Sequence, residues 1–240
     1  MSERTGEPDG RLAGWERSDV DLHAYMVSVY LCMAAGVALS GLAAWSAAHD
    51  STLAHALFTK NGLTGLGWVV TLAPLALVLL LSGAIERLSM VAAGAIFVVY
   101  AALVGLSLGG LFLAYAGSSV VTTFVAAAAG FAALAWLGSM TRRDLSALSA
   151  FITISLVGLI VAMLVDLFLR SASFDFAISA IGLLLFAGLT AFDAQRLRRQ
   201  YQEAIATGRE QYAVLGALTL YLDFLNLFLF LMRFTGRRRL

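Results

Sequence analysis

One cysteine in 240 residues, Cys32, leaves no partner for an intrachain disulfide and no thiolate cluster for a metal. It lies in a hydrophobic run, where a lone thiol serves as a small packing side chain. Charge is scarce too: only 13% of the residues are Asp, Glu, Lys or Arg, against 60% hydrophobic. A soluble domain carries about 25% charged residues, so this chain lacks the polar side chains to cover a water-facing surface. Net charge is +1, and no basic groove for nucleic acid is visible. Lysine occurs once, as Lys60 in a polar break, so no bundle lysine could form a retinal Schiff base. The three histidines, His23, His49 and His55, fall at segment ends or in a loop and make a poor metal set.

Long hydrophobic runs are what the chain does have. Seven can be drawn, roughly residues 24–48, 65–84, 89–113, 118–140, 145–168, 174–192 and 212–234. Each approaches the roughly 20 residues that span a bilayer core. They are solid apolar runs without barrel-strand alternation, and helices are the spans that satisfy their own backbone in hydrocarbon. The expected fold is therefore all-α, a polytopic membrane protein of seven transmembrane helices. Residues 1–22 form a cytoplasmic tail, 23–236 the membrane domain and 237–240 a basic tail. Met1–Val20 is polar and charged, unlike an apolar signal region, so the first hydrophobic helix is expected to stay in the mature chain. Pro74 should kink the second span. Gly105 and Gly109, in GxxxG spacing, should pack a neighbouring helix closely.

Arginine sets the orientation. Arg4, Arg11 and Arg17, then Arg87, then Arg142 and Arg143, then Arg196, Arg198, Arg199 and Arg209 occupy alternate ends, facing Lys60 and Arg170 opposite. That places the N-terminus in the cytoplasm. Arg237, Arg238 and Arg239 break the pattern after seven full spans, unless the last segment re-enters and returns.

Carboxylates at bilayer depth are costly and mark function by default. Three qualify: Asp166, Asp193 and Asp223. Asp166 precedes Arg170 by four residues, the spacing of an interfacial ion pair, or of an outer-mouth pathway residue. Thr219, Asp223 and Asn226 fall at i, i+4 and i+7 and draw one polar stripe along the last span. Asp193 ends the apolar part of the sixth span, one turn after Thr190, and Asp193–Gln211, which mixes both charges, reads as a solvated extension of that helix. If the two aspartates meet, they cannot both ionise cheaply and would share a proton. Such a pair ties the helices when protonated. When deprotonated it repels itself and offers oxygen ligands, a weak Ca²⁺ site. Arg87 is an alternative partner for a released Asp193, or a simple positive-inside anchor.

Three stretches then carry a resemblance. FAGLTAFDAQRLRRQY at Phe186–Tyr201, GALTLYLDFLNLFLFLMRFTG at Gly216–Gly236 and GSMTRRDLSALSAF at Gly138–Phe151 resemble the Bax inhibitor-1 family, in a bacterial form. The likeness runs from about Tyr25 to Arg237, and YLDFLNLF is its most specific part. It implies seven helices with the last surrounded by the other six. It implies a pH-dependent calcium leak with Asp193 and Asp223 as sensing pair and gate, and Arg87 as the nearest match to an arginine partner. Asp166 stands where relatives are expected to hold a neutral polar residue. Asp166, Thr190, Thr219 and Asn226 are the pathway-lining candidates.

The reading is thus a non-enzymatic inner-membrane protein without cofactor, with Ca²⁺ and H⁺ as the ions it meets and the bilayer as its partner. Alternatives are a proton-coupled transporter and a non-catalytic regulatory protein that binds other membrane proteins. An intramembrane aspartyl protease fits poorly. Asp223 lacks a Gly-x-Gly-Asp context, and Pro74 is the only membrane proline.

Overall fold

Short polar residues mark where helices begin. In the computed structural model, Asp50, Thr64 and Ser89 each accept a backbone N–H three residues on, at the starts of α2 (Ser51–Leu57), α3 (Gly65–Ala84) and α4 (Met90–Ala114). These caps satisfy donors that a helix start leaves orphaned. The other helices are α1 (Gly10–His49), α5 (Gly117–Met140), α6 (Ser149–Leu169), α7 (Ala172–Thr207) and α8 (Tyr212–Thr235). A tiny hairpin pairs β1 (Phe58–Thr59) with β2 (Gly62–Leu63), and Gly62 takes φ 136°, which a side chain would strain. The structure describes residues 10–59, 62–141, 145–208 and 211–237, with backbone alone at 10–20, 146, 203 and 205–207. The expected positions of Arg4, Lys60, Arg142, Arg143, Arg209, Arg238 and Arg239 therefore lie outside it, as do the side chains of Arg11 and Arg17.

Seven helices are long and apolar enough to cross a membrane: α1 from Asp21, α3, α4, α5, α6, α7 to Gln202, and α8. The fold is all-α and polytopic. One boundary differs from the sequence reading: residues 145–148 form a 3-10 turn before α6 rather than its first turn. α7 runs on past Asp193 to Thr207, as the expected extension of the sixth span, so Asp193 lies within a helix. α3 continues unbroken through Pro74, which is buried.

α8 is the core. About two-thirds (67%) of its apolar stretch is buried, against 11–28% in the other six spans, whose large side chains face outward where lipid would lie. Burial of that kind needs neighbours with little bulk. Gly105 lets α4 lie against the α1 backbone at Ser40, and Gly109 meets Ala47; a Cβ at either would come within 2.7 Å of α1 atoms. Gly138 brings α5 equally close to the α7 backbone at Ala191. The GxxxG reading is thus a packing feature.

α8 also crosses fully. At its end Arg237 N donates to Ser119 Oγ and Ala116 N donates to Arg237 O, tying it to the α4–α5 turn. Its start lies with the opening of α1, since Gly216 packs beside Leu197 and Val29. A re-entrant last segment is excluded.

Candidate functional site

α7 and α8 run antiparallel, and residues seven apart on each return to one seam after two turns. On α7 that register holds Ser179, Phe186 and Asp193; on α8 it holds Gly216, Asp223 and Phe230. The seam closes tightly near the start of α8, where Gly216 leaves room for Leu197. Asp193 and Asp223 therefore meet. Their carboxyl groups face each other within hydrogen-bonding reach. They are 7% and 2% exposed, and Asp223 Oδ2 is buried with no hydrogen-bond partner among the described residues. Two carboxyls in contact make a bond to each other only if a proton lies between them.

A cavity of about 650 Å³ between α6, α7 and α8 reaches Asp193 of this pair. Its polar wall includes Ser149, Thr153, Arg196, Arg199 and Thr219 beside Asp193. Arg196, three residues on from Asp193, is the cation that acts on its carboxyl. Arg87, expected from sequence as an alternative partner for a released Asp193, is exposed in the 3-10 turn Ile85–Arg87. The i+3 spacing of Asp193 and Arg196 on the expected helical extension was a usable signal that the sequence reading did not weigh.

The remaining stripe residues satisfy themselves along their own helices. Thr190 Oγ1 donates to Phe186 O at 2.8 Å, Thr219 Oγ1 to Leu215 O at 3.0 Å, and Asn226 Nδ2 to Leu222 O at 2.9 Å. Thr190 is wholly buried, Asn226 is partly so, and Thr219 reaches the cavity. The expected Asp166–Arg170 ion pair does not form. Arg170 turns left-handed at φ 48° and ends α6, so only its backbone N–H bonds Asp166, through the carbonyl, at 2.8 Å. Asp166 Oδ1 is buried without a partner. The ion pair at that end joins Arg233 of α8 to Asp175 in the first turn of α7, at 3.1 Å. Sequence reasoning missed Asp175 because it stands at the edge of its apolar run.

On the opposite face of α8, Tyr221 is fully buried. Its hydroxyl meets Ser40 Oγ at 2.6 Å, and Ser40 Oγ lies 2.7 Å from Ala101 O as donor. Phe97 and Tyr100 pack edge-on against the Tyr221 ring. α8 is thus clamped to α1 and α4 on one side and meets α7 through carboxyls on the other.

Among the described residues no three His, Cys, Asp or Glu side chains gather as a metal site. Two carboxyls fall short of the six to eight oxygens that hold Ca²⁺ firmly, so a divalent ion could be attracted here but not retained.

The comparisons with known proteins agree with this architecture. A family model described as "Inhibitor of apoptosis-promoting Bax1" matches residues 22–239. The chain is 40% identical over 221 residues to inner membrane protein YbhL of Escherichia coli K12, covering 91% of this chain and 93% of that one. It is 41% identical over 224 residues to protein RP147 of Rickettsia prowazekii, covering 92% of each. A Deinococcus radiodurans protein is 41% identical over 218 residues, covering 90% of this chain and 92% of its own. With a match of that extent over all seven spans, the chain belongs to the Bax inhibitor-1 family.

Proposed function

We propose that the protein is a pH-sensitive cation leak of the inner membrane, with Ca²⁺ as its cargo and the Asp193–Asp223 pair as its sensor and gate. The observation that supports this most directly is the contact of two buried carboxyls across the α7–α8 seam. A shared proton ties the two helices. Its loss places two negative charges in contact in a low-dielectric interior, a repulsion of several kcal/mol at such range. Arg196, beside Asp193 on α7, then draws that carboxylate toward the cavity, and α8 is freed on its α7 side. The two separated carboxylates attract a divalent cation without retaining it. The membrane assignment rests on the name of the Escherichia coli relative. The arginines at the Arg87 and Arg196–Arg199 ends favour a cytoplasmic N-terminus. No step requires catalysis.

Flux into Ca²⁺-indicator liposomes tests this. The wild type should conduct poorly at acidic pH and increasingly as pH rises, because deprotonation opens the seam. Asp223→Asn cannot lose a proton there and should flatten the profile. A mutant that keeps the wild-type pH dependence would remove the pair from the sensing role. Proton movement in fixed ratio to Ca²⁺ would instead mark a coupled transporter.

A further inference from the structure

The α7–α8 seam is not uniformly polar beyond the aspartates. Moving from the carboxyl pair toward the far end, Thr190 and Asn226 come first. Then the rings of Phe186 and Phe230 stack, with centroids 5.7 Å apart and planes 27° apart. This layer lies seven residues, about 10 Å, from the pair on each helix. Phe230 fills the space over Gly182: a Cβ there would fall 2.5 Å from two ring carbons. Past the rings the seam turns polar again. Ser179 is buried with a hydroxyl that has no partner, and the Asp175–Arg233 ion pair closes the end. Arg233 also lies over the Phe230 ring, 5.5 Å from its centroid.

Polar groups therefore line this seam on both sides of one dry aromatic layer. A buried hydroxyl without a partner has a physical purpose where water can reach it in another state. A constriction of apolar rings excludes a hydrated ion by withholding water, without any charge. We infer that Phe230, seated on Gly182 and stacked on Phe186, is the permeation barrier of the pathway, distinct from the carboxyl pair that senses protons. The inference rests on the leak reading above. On it, the pair sets when α8 moves, and Phe230 is what that movement must displace. Replacing the barrier opens the pathway whatever the state of the pair.

The test is Ca²⁺ flux into liposomes at an acidic pH where the wild type is closed and at a higher pH where it conducts. Phe230→Ala should raise acidic flux at least about tenfold and compress the ratio between the two pH values. Phe230→Leu, which keeps apolar bulk, should stay near wild type. Phe186→Ala should act in the same direction as Phe230→Ala and serves if the latter does not fold, as judged by gel filtration. A wild type that conducts with pH, beside Phe230→Ala and Phe186→Ala variants that match it at both values, overturns the barrier and leaves the sensor intact. A wild type silent at every pH beside a conducting Phe230→Ala keeps the barrier and overturns pH gating. Silence in all three overturns both.

Discussion

Asp193 and Asp223 are joined by their acidity, but Tyr221 shows how the neighbouring face of α8 is held by neutral groups. Its hydroxyl and that of Ser40 satisfy each other in a dry interior. Removing one member has unequal consequences. Tyr221→Phe deletes a bond and strands nothing, since Ser40 still bonds Ala101 O, a loss of about 1 kcal/mol. Ser40→Ala leaves the Tyr221 hydroxyl buried and unpaired, which costs about 1–3 kcal/mol. Thermal unfolding in detergent should therefore rank Ser40→Ala below Tyr221→Phe, although each removes a single oxygen; the reverse order would show that the hydroxyl contact is dispensable. The mispairing of Asp166 follows from a single backbone angle. An i, i+4 ion pair presumes that both residues are helical, and Arg170, at φ 48°, is not.

The helices divide between those read easily from the sequence and those that depended on distant partners. All seven apolar runs were legible, because lipid demands about 20 apolar residues whatever their neighbours. The extension of α7 beyond Asp193 was legible too: Arg196, Arg198 and Arg199 lower its apolarity, but helical propensity persists, so it reads as a solvated continuation. The meeting of the two aspartates could be conjectured from the adjacency of their spans, but the stacking of Phe186 on Phe230 could not, since every position nearby is apolar too. The α1–α4 contact offers a controlled test. Gly105→Val inserts bulk against the Ser40 backbone and should abolish monodisperse protein after extraction. Gly94→Val, on the same helix, meets open space and should be tolerated. Equal behaviour of the two would mean that this contact does not hold α4 to α1.

The bundle as a unit places its two ends apart. α8 runs its full length, about 36 Å for 24 residues, and finishes against the α4–α5 turn rather than beside the opening of α1. Reporters fused to the N- and C-termini should report opposite faces of the membrane. Finding both on one face would refute the odd number of crossings. The central position of α8 has a consequence for biogenesis. Six spans leave the ribosome before it, so early in synthesis they have only one another and lipid to touch. The slot between α1, α4, α5 and α7 that receives α8 can close only once the chain has been made to residue 235.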